Sequence, residues 1–280
     1  AGATPWDLKN ALVELAYHML ERRVLEPSWG DAVVWFENSP DGLNGLRRLT
    51  NQKRVISVSE ERLGFRLQFR HDRVRATLLA RALRKRMDSG ALPEHLWREP
   101  YYAEFLGEAL VSSEVRAELI ASAVQRNPLS LAYALQYIAG GDDVQCQVVV
   151  EALRGWLTSP DGVSAESKSL RWEIQRVLSR TESSHVLNLS KLFSEKTWAL
   201  YAAGLRNGDS RAGAAFCYSN YPSLQYAFRD DLVAHARAHH SEALIAGITT
   251  ALGTETDRER VKGYLNFAGE LALIELADPI

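Results

Sequence analysis

Cysteine is scarce: Cys146 and Cys217 are the only two in 280 residues. They form no CxxC pair, zinc-ligand spacing or disulfide framework, so a reducing cytoplasm is the expected setting. Both stand in helical-looking apolar stretches, where a free thiol behaves as a small buried hydrophobe. Long apolar runs are missing too. No stretch approaches the roughly 18 residues that cross a bilayer, and no signal-peptide pattern opens the chain. A net charge of −2 gives the chain as a whole little pull toward nucleic acid or membrane. Catalytic patterns are sparse as well. There is no G-x-x-x-x-G-K-[ST] phosphate loop, no hydrophobic strand ending in paired acids for magnesium, and no G-x-S-x-G elbow. Cys146 has no local basic partner to depress its pKa. No complete enzyme active site is expected.

What is present is a globular composition, 46% hydrophobic and 24% charged, with enough apolar mass for one large domain or two ordinary ones. Leu12, Val13, Ala16, Met19 and Leu20 recur at helical spacing near the start. A short helix follows around residues 29–36. A third opens at Asp41-Gly42, with Leu43, Leu46 and Leu49 inward and Asn44, Arg47, Arg48 and Asn51 outward. The period then changes. Val55-Ile56-Ser57-Val58 reads as a strand, and Arg62-Leu63-Gly64 supplies a turn. Phe65-Arg66-Leu67-Gln68-Phe69-Arg70 alternates strictly, the signature of a half-buried strand. Three helices followed by two strands are the plan of a winged helix, and this is the only β structure expected.

His71-Asp72 then opens a helix with Val74, Leu78, Leu79, Ala82, Leu83 and Met87 on one face and Asp72 as its expected N-cap. The helix stops at Asp88-Ser89-Gly90, ahead of Pro93, so a boundary is expected near residue 90. Beyond it, apolar faces at Val115, Leu119, Ile120 and Ala123 and at Leu170, Ile174, Val177 and Leu178 mark successive helices. Gly140-Gly141-Asp142-Asp143, Ser159-Pro160-Asp161-Gly162, Asn207-Gly208-Asp209 and Tyr221-Pro222 punctuate them. Thr256-x-x-Glu259 resembles a capping box. The expected fold is therefore mainly α: a winged-helix domain over residues 1–90, then an α-solenoid of HEAT or tetratricopeptide type, or an irregular helical array, over 91–280.

Charge is uneven. From Arg47 to Arg86, thirteen lysines and arginines stand against three acids, +10 in all, which leaves −12 for the rest of the chain. Such asymmetry calls for a partner. That partner is acidic surface of the same polypeptide in the plainest reading, and a nucleotide's phosphates or a DNA backbone in the sharper ones. His235 and His239, four apart on an expected helix beside His240, lack a third metal ligand and read as an exposed helix end. The seven tryptophans are scattered as core anchors are.

The run Phe69-Arg70-His71-Asp72-Arg73-Val74-Arg75, after a short strand and before an amphipathic helix, resembles the His-Asp motif of STAND-type signalling NTPases. These are the NB-ARC and NACHT proteins, bacterial antiviral members among them. Residues 11–20 and 45–49 are also similar to that family's winged-helix domain. The resemblance implies that His71 contacts the β-phosphate of bound ADP and holds a closed state, an imidazole being a suitable donor there. It implies further that the helical array senses a protein ligand and that oligomerisation follows activation. ADP or ATP is then expected in a parent protein, whose nucleotide-binding domain would lie upstream of Ala1; the chain opens without Met and reads as cut at both ends. No cofactor is expected for the chain alone. Arg70 stands where plant members often carry methionine, and a bare His-Asp step also serves simply to pack or cap a helix. Two other readings stay open: a winged-helix regulator reading DNA through Asn44, Arg47, Arg48, Asn51 and Gln52, and a scaffold without ligand switching.

Overall fold

Helix α1 (Pro5–Glu21) is buried on more than one face. Ala11, Leu12, Val13, Leu15, Ala16, Tyr17, Met19 and Leu20 are all in the core, because α3 (Pro40–Gln52) and α4 (Asp72–Asp88) both pack against it. The computed structural model describes residues 5–53, 55–61, 64–138, 143–194, 197–207 and 242–270. Among these the chain is mainly helical and carries one two-stranded antiparallel sheet. It divides into two compact units, residues 1–130 and 131–280.

In the first unit, α2 (Trp29–Trp35) begins with a reciprocal capping box. The Ser28 Oγ accepts from the Asp31 N–H at 3.0 Å, and the Asp31 carboxylate accepts from the Ser28 N–H at 2.7 Å. Two orphan donors of the first turn are thereby satisfied. Helix α3 starts one residue before the expected Asp41, because Pro40 suits the first helical position, where no N–H is needed. It stops at Lys53, whose φ of 52° is left-handed.

Strand β1 (Ile56–Glu61) pairs with β2 (Gly64–Phe69) in the register Ile56↔Phe69, Val58↔Leu67 and Glu60↔Phe65. The period of two buries Ile56, Leu67 and Phe69 and leaves Val58 and Phe65, nearer the hairpin tip, exposed. Arg62 and Leu63 of the expected turn lie outside the described residues. The other edge of β2 is also engaged. The Leu67 N–H donates to the Pro27 carbonyl at 2.8 Å, and Ser28 bridges to Arg66. The spatial order is thus residues 27–28, β2, β1.

Helix α4 buries Leu78, Leu79, Ala82, Leu83 and Met87 as its spacing predicts. Val74 departs from that face and remains exposed, whereas Ala80 and Arg84 are buried. The cause is a second neighbour: α4 packs on α6 (Ala103–Val111) as well as on α1. The turn at 89–93, where the sequence suggests a boundary, therefore falls inside the first unit. That unit continues through α5 (Glu94–Arg98), a 3-10 turn at Pro100–Tyr102, α6 and α7 (Ala117–Arg126). Helix α8 (Leu129–Ile138) begins at its end.

The second unit contains α9 (Asp143–Thr158), α10 (Pro160–Val163), α11 (Lys168–Leu178), α12 (His185–Ser190), α13 (Trp198–Arg206), α14 (Glu242–Thr254) and α15 (Arg258–Glu270). The Ser159-Pro160-Asp161-Gly162 break is itself a single helical turn, α10. Ser159 caps it by accepting from the Gly162 N–H at 3.0 Å. A Cβ on Gly162 would stand 1.9 Å from the Trp156 carbonyl oxygen, so only glycine permits this approach. Helices α11 and α13 pack together. The fully buried Gln175 supports this contact, its side-chain oxygen accepting from both the N–H and the hydroxyl of Thr197 at 3.0 and 2.6 Å. The cap of α15 is Asp257 rather than Thr256: its carboxylate accepts from the Glu259 N–H at 2.9 Å. Trp97 and Trp156 are core anchors, but Trp172 is exposed beside Lys168, 5.2 Å from its ring.

Candidate functional site

His71 is the residue between β2 and α4. Its backbone takes the N-cap position, φ −136° and ψ 119°, and its side chain makes no capping hydrogen bond. The His71 carbonyl accepts from the N–H groups of Val74 and Arg75 at 3.1 and 3.2 Å. Asp72 is therefore the first residue of the helix and not its cap, contrary to the sequence expectation. The Asp72 carboxylate is 89% exposed and lies 3.3 Å from the Arg75 guanidinium. A negative charge there is favourable beside the positive end of the helix dipole. Arg70, His71 and Arg73 are exposed around it. The junction can therefore offer an imidazole and two guanidiniums to an anion, with one carboxylate partly offsetting their charge.

The basic run divides in two. Arg84 is buried, with Nε donating to Asp88 at 3.0 Å, Nη1 to the Leu110 carbonyl at 3.1 Å and Nη2 to the Glu114 carbonyl at 2.7 Å. Arg116 closes on the same Asp88 carboxylate at 2.9 Å. Arg86 reaches Glu14 at 2.8 Å, with Lys85 behind it at 3.8 Å. Part of the expected charge asymmetry is thus matched inside the first unit by Asp88, Glu14 and two backbone carbonyls. On α3, Asn44, Arg47, Arg48, Asn51 and Gln52 are all exposed, as their spacing predicts.

Two features escaped the sequence reading. His18 sits against Tyr17, Trp35 and Phe36, with ring centroids 5.8, 5.7 and 6.0 Å away. Its Nδ1 is buried without a hydrogen-bond partner among the described residues and lies 3.6 Å from the Glu21 carboxylate. Burial holds its pKa below the ordinary 6.5, with Glu21 pulling the other way. The second feature is a cleft lined by Met19, Leu20 and Leu79, with Arg23 and Arg75 on it. The cleft shows in no linear pattern, because α1 and α4 are far apart in the chain; His18 meets Trp35 and Phe36 only where the end of α2 comes back to α1.

His235, His239, His240 and Cys217 lie outside the described residues; Cys146 is buried on α9. Among the described residues no group of side chains could hold a metal ion, and no helix is long and apolar enough to cross a membrane. Compared with known protein families, with curated proteins and with solved structures, the chain matches none.

Proposed function

We propose that the chain is the winged-helix and sensor region of a STAND-type signalling NTPase. The observation that carries this reading is the position of His71: an exposed imidazole between a sheet strand and a long amphipathic helix, flanked by Arg70 and Arg73. Support comes also from the order of the first unit: residues 27–28, between α1 and α2, lie beside β2, and β2 and β1 follow the third helix. That is the plan of a winged helix. In this reading His71 donates to the β-phosphate of ADP held chiefly by the parent protein's nucleotide-binding domain, and so favours a closed state. The consecutive helices of the second unit form a solenoid-like surface that binds a protein ligand. Ligand binding shifts the population toward an open, oligomerising state. No catalytic step is assigned to the chain itself.

The test is chemical protection. Diethylpyrocarbonate modifies exposed imidazoles, so His71 of the full-length protein should be modified in its nucleotide-free form and protected by ADP, read by peptide mass spectrometry. Exposed His95 on α5 serves as the internal control, whose modification should not respond to ADP. Equal modification of His71 with and without ADP contradicts the assignment.

A second reading rests on the exposed polar face of α3, where Arg47 and Arg48 lie beside Asn44 and Asn51. A helix of this kind in a winged helix can enter a major groove and contact phosphates and base edges. Against it stand Arg70, Arg73, Arg75 and Arg81, which belong to the β2–α4 side and add nothing to an α3 interface.

A further inference from the structure

The last two turns of α4 and the turn that follows α6 border an open cleft of about 530 Å³. Arg81, Arg84 and Lys85 line it from α4, and Ser112 and Ser113 line it from the turn. The single acid on the cleft is Asp88. It is engaged twice already, by the Arg84 Nε at 3.0 Å and by Arg116 at 2.9 Å. Small-molecule sites run to roughly 300–1,000 Å³, so a cleft of this size has room for an organic anion larger than a bare ion.

The cations here outnumber the acids that serve them. Lys85 has one carboxylate in reach, Glu14 at 3.8 Å, and Arg86 holds that same carboxylate at 2.8 Å. Arg116 shares Asp88 with Arg84 and has Glu118 at 3.6 Å. Arg81 makes no hydrogen bond or ion pair with any described residue. Arg81, Arg84, Lys85, Arg86 and Arg116 thus stand against Asp88, Glu14 and Glu118, a surplus of two positive charges. Glu114 gives only its backbone carbonyl to Arg84, and its carboxylate does not line the cleft. The carbonyl ends of α4 and α6 would repel an anion, but they are already occupied. Arg84 donates to the Leu110 carbonyl, the Ser112 hydroxyl to the Ala109 carbonyl and the Ser89 N–H to the Lys85 carbonyl. Arg84 spends three of its five N–H groups on Asp88 and the carbonyls of Leu110 and Glu114, and so keeps two.

We propose that this cleft binds a phosphate monoester, with Arg81 and Lys85 on its oxygens and Arg84 and Ser113 as further donors. Arg81 and Lys85 are four residues apart and therefore neighbours on one face of α4. A phosphate monoester carries close to two negative charges at neutral pH, which equals the surplus. A carboxylate carries one and leaves a cation over. Phosphate oxygens also accept two parallel N–H bonds from one guanidinium, and Arg81 has all of its donors to give. The site is separate from the nucleotide reading of His71: Arg81 lies about 15 Å further along the helix, and none of the cleft's residues is used there.

The experiment is isothermal titration calorimetry on the full chain at fixed ionic strength and neutral pH. Its probes are glucose 6-phosphate and a short phosphoserine peptide, with gluconate and the unphosphorylated peptide as their controls. At least one ester is expected to bind saturably, one to one, and tenfold or more tighter than its control. Tighter binding of the sugar ester makes a free metabolite the source of the phosphate; tighter binding of the peptide makes it a phosphorylated protein. Arg81→Ala is expected to weaken the ester about tenfold with an unchanged circular-dichroism melt, and Arg81→Glu with Lys85→Glu to abolish binding. Arg47→Glu with Lys53→Glu makes the same change of net charge elsewhere and should leave binding unchanged, as should His71→Ala. No saturable binding of either ester, equal affinity for the controls, or an equal loss in the Arg47 and Lys53 variant or in His71→Ala overturns the proposal.

Discussion

The Arg86 guanidinium carbon lies 3.3 Å from the centre of the Tyr17 ring, and the same guanidinium donates to Glu14 at 2.8 Å. One side chain of the basic run therefore clasps α4 to α1 through a stacked cation and a charge-assisted hydrogen bond. Burial, aided by the nearby Glu21, pushes the Tyr17 hydroxyl up to about 12, so it stays protonated at any physiological pH. Arg86→Ala is expected to cost about 1–2 kcal/mol. Arg84→Ala should cost about 2–3 kcal/mol, because it leaves the Leu110 carbonyl and one side of Asp88 without a donor. Arg81→Ala, on the exposed side of the same helix, should change stability by less than about 0.5 kcal/mol. Urea unfolding of the three variants measures the split; equal costs would contradict it.

His18 makes stability depend on pH. Burial lowers its folded pKa below 6.5, the value of the unfolded chain. As pH falls below about 6.5, the unfolded state binds the proton first, and the native state loses stability progressively down to the folded pKa. Glu21 and Glu14 oppose this shift, and Arg22 and Arg86 reinforce it. His18→Phe keeps an aromatic ring against Trp35 and removes the titration. The wild type should lose more melting temperature between pH 7.5 and 5.5 than the variant does. Identical losses would show that His18 is not the group responsible.

Gly162→Ala forces a methyl group to within 1.9 Å of the Trp156 carbonyl. The α9–α10 turn must then shift, at a cost of about 2 kcal/mol or more. Ser159→Ala removes the cap of α10 and the hydroxyl's donation to the Trp156 carbonyl at 2.7 Å without a clash, and should cost about 1 kcal/mol. Thermal melts that place the two variants in the opposite order would contradict this account of the turn.

The local elements were legible because their signals are local. Leu67 and Phe69 alternate with polar residues and form a strand; Leu46 and Leu49 recur at helical spacing and face the core. Arg84 was not legible as a core residue, since its partners at 110 and 114 come from a different helix and loop. Val74 fits the apolar stripe of α4 yet stays exposed, because the two neighbours of α4 cover other parts of its surface. Residues 27–28 are too short for a periodic strand signal and pair with β2 only through the fold. The His71 position could be located from the β2 alternation and the helix behind it. Its role as backbone cap in place of Asp72 depends on a single ψ angle that no spacing encodes.

The α3 reading makes its own measurable claim. If Arg47 and Arg48 contact duplex phosphates, affinity must fall steeply with salt, because each contact releases counterions. Weak or undetectable duplex binding is expected at physiological salt, and Arg47→Ala with Arg48→Ala should leave nucleotide retention unchanged. Tight, salt-sensitive duplex binding abolished by the double variant would favour the DNA-binding reading instead.

His71 carries the central claim, and the rate of ADP loss from the full-length protein tests it most directly. A hydrogen bond to a charged phosphate is worth roughly 1.5–3 kcal/mol, so His71→Ala should release a fluorescent ADP analogue about ten- to a hundredfold faster than wild type. Its melting curve without nucleotide should be unchanged, because the His71 side chain makes no capping hydrogen bond. Asp72→Ala removes an exposed carboxylate from the first turn and should lower stability by about 0.3–1 kcal/mol with a much smaller effect on release. Faster release with an unchanged melt is the predicted result. Equal release rates for wild type and His71→Ala would contradict the account and leave His71 as an ordinary surface histidine.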